Sequence, residues 1–392
     1  MSVCRLCGHN NTETAIDFGY QPIVHNLLLK PSENIEKFQF KLMHCLECDF
    51  LYLNKPISRN ILYKDYFTVS GWKNQPHVSR LIDLMKYLAN LNDKTNVLDI
   101  GCNDGSFLKL LYDKGIKNIK GIEPADDAYF IAEKNDFEVE KGFFGASKNN
   151  IFDEENKFEL VITRHVLEHI IDLEDFLSGI NIVLKNNGTL VIEIPDTSMN
   201  LQYLDYALWE EHVNYFTLSS ISKLLNKFDL EIFHYEITLF SGRALTVFAK
   251  KNKNPINIFD YDLKPQIYNY IDKFPIVKEG LQKIISDLSP IAIYGCGARS
   301  SNFVNFLEIN SIDFFIDDQI EKQNKFVPGS NLEIKDYKEI YKDINILLGV
   351  NAENENKVIN KRNLDKKRLY SISPPSRYLL DNQKILKNEN LD

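Results

Sequence analysis

The chain has little of what a membrane or secreted protein needs. No apolar run in its 392 residues approaches the roughly 20 that a membrane span takes. The opening MSVCRLCGHN has no apolar core of a signal peptide. Cysteine is scarce, with six in all, which is too few for a disulfide framework and makes the reducing cytoplasm the expected compartment. Glycine (17) and proline (13) are too sparse for a collagen-like or disordered chain, and no repeat of 20–50 residues is present. Basic charge is also in deficit, 46 Lys and Arg against 55 Asp and Glu, a net charge of −9. A protein that neutralises phosphates is usually basic, so nucleic acid is disfavoured as the main partner.

What is present divides into three bodies, in keeping with about 150 residues per domain. Residues 1–70 hold four of the six cysteines, residues 71–252 alternate strand and helix signals, and residues 253–392 begin a second alternating unit after NKNP. In the middle body, helical periodicity over Val78–Leu91 precedes a strand at VLDI, a helix at SFLKLLYDKG, a strand at IKGIE and a helix at DDAYFIAEK. Strand LVIT, helix LEDFLSGINIVLK and strand TLVIEI follow, then helix LSSISKLLNKF and an antiparallel closing pair, LEIFHYEI and ALTVFAKK. Such alternation predicts βαβ units and a parallel sheet covered on both faces. The last body repeats the theme: a helix near 264–287, strand IAIYG, a glycine-rich turn, helix SNFVNFLEI, and strands FFIDD and INILLGV.

Cys4-Arg-Leu-Cys7 and Cys45-Leu-Glu-Cys48 are two C-x2-C knuckles separated by residues 8–44. Each aims two thiolates at one ion, and together they make a tetrahedral sulfur site that selects Zn²⁺. Four sulfurs leave no open position, so the ion is expected to be structural. The long gap must carry a hairpin of its own. The neighbouring His9, His25 and His44 are read as packing or surface residues.

The first strand of the middle body runs into Gly101-Cys-Asn-Asp-Gly105 and then a helix. Glycines there let a ligand approach the backbone, and the helix start offers unpaired N–H groups. A dinucleotide fingerprint would place glycines at 103 and 106, where the chain has Asn103 and Ser106. Asp99, Asn103 and Asp104 instead suit a cationic cofactor with an amino-acid tail. Glu123, ending the next strand before Pro124, can accept both ribose hydroxyls of an adenosine. With FELVIT at the fourth strand, the pattern resembles that of class I S-adenosylmethionine (SAM) methyltransferases. His165-Val-Leu-Glu168-His169 also fits a zinc-peptidase spacing. Its position after a buried strand makes Arg164 and His165 cofactor-pocket wall, with Glu168 and His169 starting a helix. In Trp209-Glu-Glu-His-Val-Asn-Tyr-Phe216, on the loop after TLVIEIPD, His212 beside Glu211 suits general-base work.

Taken together these segments resemble the zinc-containing, SAM-dependent C-methyltransferases that act on nucleotide-linked keto-sugars. The resemblance rests on both knuckles, Gly19-Tyr-Gln-Pro22 with Asn26, Asp65-Tyr66 with Ser70-Gly71, the I-G-x-N-D-G turn and Glu123-Pro124. It continues through Val166-Leu-Glu-His169, the E-H-x-x-Y-F loop, Tyr294-Gly-x-Gly297 with Asp317, and Phe326-Val-Pro-Gly-Ser330. It implies an α/β chain: a class I, Rossmann-like sheet with an N-terminal four-cysteine zinc module and a C-terminal Rossmann-like domain. It implies SAM and structural Zn²⁺ as cofactors, a nucleotide sugar as partner with no membrane, and a monomer or small homo-oligomer. His212 would be the base oriented by Glu211, and Tyr66 would bond the sugar or an enolate oxygen. Tyr215, Arg243 and Arg299 would face the substrate, the arginines toward a diphosphate. Two departures stand out: Trp209-Glu210 where the family has Tyr-His, and Ser241-Gly-Arg-Ala-Leu245 in place of a Gly-Gly-Ser-x-Arg stretch. An O- or N-methyltransferase on a related sugar or surface glycan would share every SAM residue and stays open here.

Overall fold

The computed structural model describes residues 3–62, 75–148, 157–256, 258–380 and 382. Three sheets organise the chain. The central one has seven strands, in the order Leu230–Thr238, Ala244–Lys251, Leu184–Pro195, Phe158–Arg164, Asn96–Ile100, Asn118–Glu123, Glu138–Lys141. The last five are parallel, and Ala244–Lys251 runs antiparallel to both its neighbours. This is the class I methyltransferase sheet. Its inner strands read as unbroken apolar runs because helices cover both faces. Val97, Leu98, Leu160, Val161, Ile162, Leu190, Val191 and Ile192 are all at 0% exposure. The short polar edge strand Glu138–Lys141 carries no such signal.

The helix expected over Val78–Leu91 ends at Leu88, where the Ala89 N–H closes on Met85 and Asn90 turns to φ +51°. The C-terminal sheet holds five parallel strands, ordered Ile334–Lys335, Phe314–Ile316, Ile291–Tyr294, Asn345–Leu348, Leu369–Ser371. Its glycine-rich turn opens helix Ala298–Phe306, which starts three residues earlier than the apolar pattern alone indicates. The cause is local: the Ser300 hydroxyl accepts the Gly297 N–H and caps the first turn.

The N-terminal sheet is antiparallel. Thr12–Gln21 and Phe38–Cys45 form the hairpin that the gap between the knuckles demands, and Leu51–Leu53 follows. Its fourth strand, Asn214–Tyr215, comes from the loop of the central body that carries His212. Both flanks of this sheet are buried. Phe18 and Phe40 each lie 4.6 Å, ring to ring, from Phe306 of the C-terminal body. Phe50 packs 5.2 Å from Phe216 of the central one. The cysteine module thus sits between the other two bodies. Among the described residues, no helix is long and apolar enough to cross a membrane.

Candidate active site and zinc module

The four knuckle cysteines converge, their sulfurs all within 4.8 Å of one another. Cys4 and Cys48 are 3.7 Å apart and Cys7 and Cys45 3.5 Å. Zinc–sulfur bonds of 2.3 Å place tetrahedral sulfurs ~3.8 Å apart, so the cluster fits the ion. Cys48 is held protonated by the adjacent Cys4 and by burial, while the same contact lowers Cys4 to about 5. Such crowded thiols ionise together only around a cation. Arg5, inside the first knuckle, reaches out of it: its guanidinium donates to the carbonyls of Val213 (3.0 Å) and Leu53 (2.6 Å). The metal module thereby grips the residue next to His212.

At the cofactor turn Gly101 has φ +78° and Gly105 φ +77°, a region where side chains are strained. A Cβ on Gly101 would fall 2.4 Å from Val166 Cγ2. Gly101→Ala is therefore expected to cost about 1–3 kcal/mol of stability and to weaken SAM binding at least tenfold, read by thermal unfolding and calorimetric titration. Wild-type affinity in the variant would refute the turn's role. Glu123 is buried beside this turn, its oxygens accepting the N–H groups of Asn103 (2.9 Å) and Ala125 (2.8 Å) across Pro124. Asp104 accepts the Ser106 N–H at 3.0 Å and turns the chain into its helix. Burial raises Asp99 to about 7, against the pull of Arg164.

Arg164 and His165 converge on Glu193, a residue that sequence reasoning passed over inside TLVIEI. Glu193 is fully buried, yet Arg164, His165 and His77 hold its carboxyl well below the ordinary range. Its Oε1 lies 3.0 Å from both His77 Nε2 and His165 Nε2, and its Oε2 accepts Arg164 Nε at 3.1 Å. Arg164 also lies over the Phe107 ring, 4.5 Å to its centroid. The lone glutamate in the apolar run Leu190–Ile194 was the available signal. On its other side His165 Nδ1 is 3.5 Å from Glu168. Although burial opposes it, these two carboxylates raise His165 to about 9.

His212 stacks on Trp209 (4.9 Å, 19°) and meets the edge of His169 at 4.9 Å. Burial and His169 lower it to about 3, so the ring is neutral here and its basicity is held down. Two backbone bonds fix its loop, Val213 N–H to Glu168 O (2.8 Å) and Leu53 N–H to Val213 O (3.0 Å). The structure does not pair Glu211 with His212 as expected. Glu211 turns to His25, 3.5 Å from Nδ1, and burial with Glu210 and Glu168 nearby raises it to about 8. The carboxylate grouped with His212 and His169 is Glu168.

His25, read from sequence as a packing residue, thus joins the loop that carries His212 to the N-terminal body, its Nε2–H donating to Leu62 O at 3.0 Å. Glu210 completes the junction, accepting from Val24 N–H (3.0 Å) and Asn302 Nδ2 (2.7 Å). The residues expected to face the substrate are engaged elsewhere in this structure. Tyr215 is buried and its hydroxyl donates to Trp209 O at 3.0 Å, bracing the loop. Arg299 is buried in an ion pair with Asp205. Arg243 bonds Asp196 at 2.7 Å and Gln202 at 3.2 Å while remaining about a quarter exposed. Tyr66, Asp65, Ser70 and Gly71 lie outside the described residues.

Comparison with known families accounts for all three bodies. A zinc binding domain matches residues 4–63, a methyltransferase domain residues 72–235, and a C-methyltransferase C-terminal domain residues 269–363. In chain order these three matches are a zinc binding, a methyltransferase and a C-methyltransferase C-terminal part, and together they span most of the chain. The chain is a SAM-dependent methyltransferase, and its four clustered cysteines lie within the stretch that the zinc binding domain matches. Among individual relatives, C-methyltransferase NovU of Streptomyces niveus is 23% identical over 84% of each chain. Ubiquinone biosynthesis O-methyltransferase of Homo sapiens is 32% identical over 32% of this chain and 39% of its own. A tRNA U34 carboxymethyltransferase of Helicobacter pylori is 27% identical over 36% of this chain and 57% of its own. Of these three, NovU alone matches this chain over most of its length.

Proposed function

We propose that the chain methylates the carbon α to the ketone of a nucleotide-linked keto-sugar, with His212 as the general base. The supporting observation is the neutral imidazole of His212, stacked on Trp209 and backed by Glu168, on a loop at the carboxyl end of the sheet that carries the cofactor turn. Ligands of open α/β sheets bind at that end.

The SAM pocket is built by Asp99, Gly101, Asn103, Asp104, Gly105, Glu123, Pro124, Arg164 and His165, and SAM supplies there an electrophilic methyl on a sulfonium. Glu123 offers its remaining lone pairs to ribose hydroxyls, and the glycines let the backbone close on the cofactor. His212 takes the proton of the carbon acid, and Glu168, whose buried carboxyl is held ionised by His165 and its neighbours, stabilises the imidazolium that results. The enolate carbon is then the nucleophile, and Tyr66 supplies a hydrogen bond to the enolate oxygen. A loop anchored on three bodies keeps the base in reacting geometry, and such positioning is worth several orders of magnitude in rate. Arg243, at the partly exposed edge of the same strand end, is the better placed of the two arginines to meet a diphosphate.

The test is product analysis. With labelled SAM and a panel of nucleotide keto-sugars, mass spectrometry and NMR are expected to place the label on a ring carbon next to the ketone. Label on oxygen or nitrogen would replace this reading with O- or N-methylation.

A further inference from the structure

The geometry points to a second metal site, made by Glu168, His169 and His212, that takes a borderline divalent ion of the zinc class with a coordination position left open. One ligand atom from each of the three lies within 4.8 Å of the other two. Glu168 supplies an independent sign: its side chain is 2% exposed, and neither carboxylate oxygen has a hydrogen-bond partner among the described residues. A buried carboxylate without hydrogen bonds is costly and calls for a counter-ion. His165 Nδ1 lies 3.5 Å away on one side, and the face toward the two other histidines is left to be matched.

His169 is set up as a ligand would be, since its Nδ1–H donates to the Glu211 carbonyl at 3.0 Å. A backbone carbonyl on one ring nitrogen fixes the ring's tautomer and orientation, as it does for histidines that bind metals. His212 is held in plane by Trp209. Both histidines are half-buried. Two imidazoles and one carboxylate are the donor set of open zinc centres, whereas Mg²⁺ and Ca²⁺ prefer all-oxygen shells.

The site differs in kind from the closed four-sulfur cluster, and it has a consequence. Coordination takes up the His212 lone pair that proton abstraction needs, so metal binding and turnover exclude one another. The ion is then a reversible inhibitor, competing with the acceptor and not with SAM. That consequence rests on His212 being the base, while the site itself does not.

Full-length protein carrying one equivalent of zinc in its cysteine site is titrated with Co²⁺ in the absence of substrate. The expected result is a second equivalent whose visible bands lack sulfur-to-cobalt charge transfer. Glu168→Gln and His169→Ala should each weaken it at least tenfold while the zinc content stays at one. The proposal is overturned if wild-type protein binds no second ion, if that ion shows the sulfur band, or if both variants bind it unchanged. Adding Zn²⁺ to turnover assays reads the consequence separately. A second ion that binds with these ligands and leaves methyl transfer intact upholds the site and removes His212 as the base.

Discussion

His212→Ala is expected to lower kcat by about 10²–10⁴-fold, the usual worth of a positioned general base, while SAM affinity stays within about twofold. The separation follows from the architecture. The cofactor turn at Gly101–Gly105 and Glu123 belongs to the first two strands of the central sheet, whereas His212 sits on the loop before Asn214–Tyr215. Removal of the ring leaves every contact of the turn in place. It also uncouples two measurable events on the acceptor. In heavy water, wild-type protein should wash deuterium into the position next to the ketone, and the variant should not. Turnover and exchange both surviving in His212→Ala would assign the base elsewhere, and exchange surviving alone would leave His212 a role after deprotonation.

Cys4→Ser and Cys48→Ser are expected to yield protein without zinc that unfolds at lower temperature and has lost methyl transfer. Metal centres of this kind contribute on the order of 10 kcal/mol to the folding of their modules. Here the loss would spread. Arg5 hangs from the first knuckle and holds Val213 O and Leu53 O, and Cys4, Leu6, Cys45 and Phe50 belong to the core cluster that includes Phe216 and Leu224 of the central body. Arg5→Met separates the two contributions: zinc content should stay near wild type while stability falls by roughly 1.5–3 kcal/mol, the worth of a buried hydrogen bond to a charged group, and kcat falls about tenfold as the loop beside His212 loosens. A serine variant that is folded, zinc-free and active would contradict the structural role of the ion.

The parts of this protein that could be read from its sequence are those set by local rules. Short apolar runs marked the inner strands, and DDAYFIAEK is a helix from its first residue to its last, with Asp126 and Asp127 in the first turn as the helix dipole favours. The cysteine spacing announced the sulfur cluster for the same reason, because each knuckle is a local turn. What stayed hidden depends on partners far apart in the chain. Glu193 looked like a flaw in a buried strand and turned out to gather Arg164, His165 and His77. Adjacency suggested that Glu211 serves His212, yet consecutive residues on an irregular loop point to different sides, so Glu211 meets His25 and Glu168 approaches from another segment. No periodicity of two residues could disclose that Asn214 and Tyr215 complete the sheet of the cysteine module.

That two-residue strand bears on how the enzyme could be re-engineered. A chimaera that joined a foreign metal-binding head to this catalytic body would have to match the pairing of Leu51–Leu53 with Asn214–Tyr215, or the imidazole would drift from its station. Exchange of acceptor preference between relatives should therefore succeed when head and loop travel as one cassette and fail when either is transplanted alone.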